Sequence, residues 1–175
     1  MFEIRIHSRG GQGGVTAARL LALAAIYDGK HATAAPFYGA ERRGAPIVSF
    51  VRIDDKPVRI YSQIRKPDMV VVLDASVMDV VDVLSGLKEG GKVLVNSRQP
   101  KEFAGFSSAS VDLTGISLKE NLVVSGSPIL NTPVIGALAK MGIVSADSAM
   151  KAIGEMFSDE RNIKAAKAAY QEMST

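Results

Sequence analysis

The sequence predicts an α/β protein: a three-layer α/β/α sandwich with a largely parallel sheet, one antiparallel hairpin and a helical C-terminus. Three observations carry this. The alternating stretch Glu3–His7 runs through a glycine cluster into the apolar stretch Val15–Ile26, which makes a strand, a turn and a helix. Met69-Val70-Val71-Val72-Leu73 is an unbroken apolar run, the pattern of a strand buried on both faces. Beyond Pro128 or Pro133 the chain carries helical apolar stripes to its end.

The elements follow in order. Four glycines in Gly10-Gly11-Gln12-Gly13-Gly14 turn the chain sharply into the first helix, and Asp28-Gly29-Lys30 stops that helix. His31–Ala35 reads as a weak strand. Ile47–Ile53 and Val58–Tyr61 flank Asp54-Asp55-Lys56-Pro57, which predicts a hairpin with a four-residue connection. After the buried strand, Ser76 and Asp79 predict the start of a helix with Val77, Val80, Val81, Leu84 and Leu87 on one face. Glu89-Gly90-Gly91 ends it and Lys92–Asn96 is a strand, with Ala109–Asp112 read as an edge strand. One helix then runs from Pro128 or Pro133 to Met141. Ser145 caps a second, with Ala146, Ala149, Met150, Ile153 and Phe157 inward. Ile163, Ala166, Tyr170 and Met173 stripe a third.

Composition narrows the function. At 175 residues, with 47% hydrophobic and 22% charged, the chain suits a single domain over residues 1–175. A net charge of +3, with no basic run longer than Arg42-Arg43, argues against nucleic acid as a partner. From Leu122 to Met141 only Lys140 is charged, but Pro128, Pro133 and polar residues interrupt the run, so a buried segment is expected and not a membrane span. The chain begins directly with a strand, so no leader is expected, and a cytoplasmic location fits. There is no cysteine, which excludes disulfides, Cys-type zinc and thiolate-held iron–sulfur clusters on this chain. His7 and His31 have no acidic or histidine cluster around them and are read as structural, so no metal site is expected.

Two loops hold the candidate functional residues. Arg9, Gly10, Gly11, Gln12, Gly13, Gly14 and Thr16 sit at a helix start, where bare N–H groups and the helix dipole favour an anion. The spacing is not a dinucleotide fingerprint, because Thr16 stands where a third glycine belongs and Ala34-Ala35-Pro36 offers no ribose-binding acid. Nor does a Gly-Lys-Ser/Thr triplet occur. An anion cradle and a tight packing turn stand about even. The second loop carries Tyr38, Gly39, Glu41, Arg42, Arg43 and Gly44, where two guanidiniums can clamp a phosphate or carboxylate or pair with a neighbouring chain. Its plain alternative is a solvated charged loop. Between Val15 and Tyr27 the only strongly charged side chain is Arg19, so this helix lies central in the domain or under another subunit.

Taken together, RGGQGGVTAARLLALAAIYDGK and FYGAERRGAPIVSFVRIDDKPVRIYSQIRKPDMVVVLD resemble the gamma subunit, or gamma domain, of 2-oxoacid:ferredoxin oxidoreductases. The likeness extends to ALAKMGIVSADSAMKAI and RNIKAAKAAYQEM in the tail. It implies a multisubunit enzyme that oxidatively decarboxylates a 2-oxoacid, such as pyruvate or 2-oxoglutarate, usually to an acyl-CoA. Thiamine diphosphate with Mg, [4Fe-4S] clusters and coenzyme A are implied on or with other subunits, and none is bound by this chain alone. The implied partners are alpha and beta thiamine-binding subunits, a ferredoxin-like delta subunit and ferredoxin as acceptor, with a homodimer as the state in isolation. No catalytic residue is assigned here. Arg42 and Arg43 are expected beside coenzyme A phosphates or at an interface. The competing reading is a stand-alone α/β module that binds a nucleotide or other anionic metabolite at the glycine loop.

Overall fold

The computed structural model describes residues 1–37 and 44–173. Its main sheet has six strands: β1 (Phe2–Arg9), β2 (His31–Phe37), β3 (Pro46–Asp54), β4 (Met69–Val72), β5 (Lys92–Asn96) and β6 (Ser107–Val111), in the spatial order β2-β3-β1-β4-β5-β6. Strands β1, β4, β5 and β6 run parallel, while β3 lies antiparallel between β1 and β2. A separate two-stranded hairpin joins β7 (Val123–Val124) to β8 (Ser127–Pro128). The helices are α1 (Gly14–Tyr27), α2 (Leu113–Lys119), α3 (Pro133–Lys140), α4 (Ala146–Met156) and α5 (Arg161–Glu172). The α/β architecture expected from the sequence is therefore present, with its helical C-terminus.

Strand alternation sorts the two faces of the sheet. Ile4 and Ile6 of β1, with Met69 and Val71 of β4, enter a large core shared with α1, α3, α4 and α5. Val70, Val72, Val93 and Val95 point the other way and pack against Val77, Val83 and Leu87. The run Met69–Val72 is buried on both sides, as its sequence requires.

Helix α1 is covered largely by its own chain, with Ile26 left 50% exposed. It packs against β2 and β3 on one side and against α4 and α3 on others, so Leu20, Leu21, Ala24 and Ala25 are fully buried. The ends of α1 and α4 are joined: Asp28 accepts hydrogen bonds from the backbone N–H and hydroxyl of Ser145, at 2.8 and 2.6 Å. Ser145 caps α4 as expected by accepting from the Ser148 N–H at 3.1 Å. Helices α3 and α5 approach so closely that a Cβ on Gly136 would lie 1.8 Å from the Ala166 carbonyl oxygen.

Three expectations are corrected. Residues 58–61 form no strand. The hairpin partner of β3 is β2, and the carbonyls of Ile60 and Ser62 accept instead from the Arg52 guanidinium, at 3.3 and 2.8 Å. The helix expected from Ser76 is only a 3₁₀ turn over Ala75–Asp79, capped by Asp74, with non-helical turns after it. Valines at 77, 80, 81 and 83 lose rotamer freedom in a helix, and Asp82 bonds its own backbone by accepting from the Leu84 N–H at 3.2 Å. Val80 is consequently 65% exposed and not on an inner face. Finally, Pro128 belongs to β8, Pro133 opens α3, and the weakly charged segment is buried at Leu122 and again from Leu130 to Ala139, leaving Val123 and Val124 exposed.

Candidate functional site

The glycine loop leaves the carboxyl end of β1, at the end of the sheet where parallel strands open a crevice. Gly11 and Gly13 have φ of 94° and 89°, conformations that a side chain disfavours. Gly14 is held by crowding, since a Cβ there would lie 2.3 Å from the Ser8 hydroxyl. A Cβ on Gly13 would lie 2.9 Å from the Cβ of Asn131. The tight-packing reading of these glycines is thus met within this chain.

Arg9 and Gln12 brace the loop. The Arg9 N–H donates to Gln12 Oε1 at 2.8 Å, and Gln12 Nε2 donates to Asp74 Oδ2 at 2.6 Å. The Arg9 guanidinium donates to Ser76 Oγ at 2.8 Å, to the Ser76 carbonyl at 3.1 Å and to the Gly44 carbonyl at 2.9 Å. Asp74 completes the brace by accepting from the Ser76 N–H and hydroxyl. Burial pushes the Asp74 carboxyl up, but hydrogen bonds from Ser76 and Gln12 and the nearby Arg9 charge outweigh it and hold the group below its ordinary pKa.

The second candidate loop meets the first at its end. Gly10 donates to the Ala45 carbonyl at 2.9 Å and accepts from the Gly44 N–H at 3.2 Å. Gly44 therefore stands beside the glycine turn. Tyr38, Gly39, Glu41, Arg42 and Arg43 lie outside the described residues.

A cleft of about 310 Å³ opens at the start of α1, lined by Ser8, Gly13, Thr16, Ile47, Ile129 and Asn131 among others. Ala17 donates the first helical hydrogen bond, to the Gly13 carbonyl at 2.8 Å, which leaves the N–H groups of Gly14, Val15 and Thr16 outside the helical ladder. Sequence patterns do not place Asn131, Ile129 or Asp74 at this site, and they give Ser76 only as a helix start. The signal available for Asn131 was its place just before Thr132-Pro133, a helix-start pattern. Among the described residues, no group of three or more histidine and acidic side chains could hold a metal ion, and no helix is long and apolar enough to cross a membrane.

The family described as pyruvate ferredoxin/flavodoxin oxidoreductase matches residues 3–172. The chain belongs to that family. It is 51% identical over 181 residues to the pyruvate/ketoisovalerate oxidoreductases common subunit gamma of Thermococcus kodakarensis, covering 97% of this chain and 96% of that one. It is 49% identical over 177 residues to pyruvate synthase subunit PorC of Methanocaldococcus jannaschii, covering 99% and 97%. The crystal structure of pyruvate oxidoreductase subunit PORC from Thermotoga maritima superposes with a TM-score of 0.80 at 38% identity, over 99% of this chain and 97% of that one. As a member of the pyruvate ferredoxin/flavodoxin oxidoreductase family, the chain is a gamma-type subunit of an oxidoreductase, and the stand-alone module reading finds no support among these relatives.

Proposed function

We propose that this gamma subunit supplies a docking face for the catalytic subunits of a 2-oxoacid oxidoreductase and contributes no reacting side chain. The pairing of Gly10 with Gly44 and Ala45 is the observation that supports the reading, because it sets Gly44, the described end of the second candidate stretch, beside the glycine turn at the carboxyl end of β1. The relatives named for pyruvate and ketoisovalerate make these the favoured substrates. The chain has no cysteine to hold a cluster. Alpha and beta subunits would carry thiamine diphosphate and Mg, and a delta subunit the [4Fe-4S] clusters that pass electrons to ferredoxin. Thiamine diphosphate supplies the electron sink for decarboxylation. Arg42 and Arg43, two residues before Gly44 and beside it in sequence, would hold coenzyme A phosphates or pair with the catalytic chains. The complex would work in the cytoplasm.

The test is co-expression with the alpha, beta and delta chains, followed by assay of pyruvate, ketoisovalerate and 2-oxoglutarate with coenzyme A. The assembled complex is expected to turn over and the gamma chain alone is not. Substituting Arg42 and Arg43 by Ala is expected to raise the KM for coenzyme A or to weaken assembly. Intact assembly with an unchanged KM removes both roles, and turnover by the purified gamma chain overturns the docking reading.

A further inference from the structure

We propose that a cleft on the opposite face of β1 from Ser8 and α1 binds a small monocarboxylate with an apolar body, its oxygens accepting from Arg5 Nε–H and His7 Nε2–H. The cleft, of about 390 Å³, lies between β1, β3 and the segments 63–65 and 81–85. His7 pairs with Val72 of β4, so it shares the face that carries Val70, Val72 and Val77.

Arg5 and His7 are the sign of a ligand. They are 9% and 6% exposed, and both line the cleft. Arg5 Nε and His7 Nε2 are buried and have no hydrogen-bond partner among the described residues. A guanidinium N–H is always a donor, and a buried donor without an acceptor is costly to the fold. Arg5 Nη2 donates to the carbonyls of Val83 and Ser85, both at 2.7 Å, which holds the guanidinium in place. Residues two apart on a strand present their side chains to one face about 7 Å apart, a span that one carboxylate accepting at about 2.8 Å can bridge. The imidazole can carry its proton on either nitrogen, and the carboxylate selects the Nε2–H form.

The lining sets the ligand class. Arg5 and Arg65 bring two positive charges and Asp82 one negative, a net charge of one that a monoanion matches. Arg52 and Glu3, further along the same face, neutralise each other at 2.8 Å. Phe50, Ile64 and Val81 form apolar walls, which suit a hydrocarbon body and not a bare inorganic ion. Residues 55–66 form neither helix nor strand and bury only Ile64, so the outer wall rests on one anchored side chain. Neither this site nor the docking reading depends on the other.

The full chain, labelled with 15N, is titrated with benzoate, acetate and benzamide while the imidazole nitrogens are followed by NMR. The chain has two histidines, and the exposed His31 on β2 is the internal control. The His7 signals are expected to shift saturably with benzoate, with a Kd on the order of 1 mM, while those of His31 stay still. Acetate lacks the body and benzamide lacks the charge, and each is expected to bind at least about tenfold more weakly. His7→Phe keeps a ring and removes its nitrogens. Read from the β1 backbone amides, it is expected to weaken benzoate at least about tenfold with Tm unchanged or higher. Arg65→Ala, at an exposed position, leaves the core intact and is expected to weaken benzoate at least about threefold. His7 signals that stay still, His31 signals that move in step with them, or variants that bind as the parent does overturn the site. Acetate or benzamide binding as tightly as benzoate overturns the ligand class.

Discussion

Ser8 and Gly14 are locked together: the hydroxyl at the end of β1 fills the space where a side chain on the first residue of α1 would stand, 2.3 Å from the position of its Cβ. Gly14→Ala must therefore push the helix away from the strand. A loss of about 2–3 kcal/mol is expected. Ser8→Gly on the same chain removes the clash and should restore much of that stability. A double-mutant cycle by urea unfolding checks it, and additive effects would show that the two sites are uncoupled.

His7 gives the fold a built-in pH dependence. It is 6% exposed, and burial, followed by the Arg5 charge, lowers its pKa from 6.5 to about 4. Below about pH 6.5 the unfolded chain takes up a proton that the folded chain refuses, so stability falls as pH drops from 6.5 toward 4. Its full contribution is present above pH 6.5. The loss across that window is about 3 kcal/mol. Comparing His7→Gln with the parent separates this from titrating carboxylates. The stability difference between the two should change with pH through that window, and a constant difference would sink the assignment.

The contact between α3 and α5 leaves no room for a methyl group. Gly136→Ala would set its Cβ 1.8 Å from the Ala166 carbonyl oxygen, a backbone atom that cannot rotate away. A loss of about 3 kcal/mol is expected, with α5 exchanging amide protons faster than the sheet. Protection of α5 equal to the parent's would contradict this packing.

Gln12 is the link between the glycine turn and Asp74. Gln12→Ala deletes its bonds to the Arg9 N–H and to the Asp74 carboxylate. A cost of about 1–2 kcal/mol is expected, which lowers Tm by roughly 2–8 °C for a chain of this size.

Sequence patterns found the parts whose signal is local. The apolar run of β4, the Ser145 cap and the stripe through Ala166 and Tyr170 each depend on neighbours within a few residues. Reading failed where a distant side chain replaces a ladder partner. Val58–Tyr61 alternates like a strand, yet Arg52 takes two of the carbonyls in and beside it. The segment after Ser76 has helical spacing but too many β-branched residues and acids that bond their own backbone. The glycine turn was legible and Asn131 was not, because its contact with Gly13 is made by the fold.

Enclosure of α1 by the chain's own α3 and α4 has a consequence for how the enzyme is put together. A polypeptide that covers most of this apolar helix with its own residues can mature first and meet its companions as a finished part. Joining them is then an encounter of preformed surfaces.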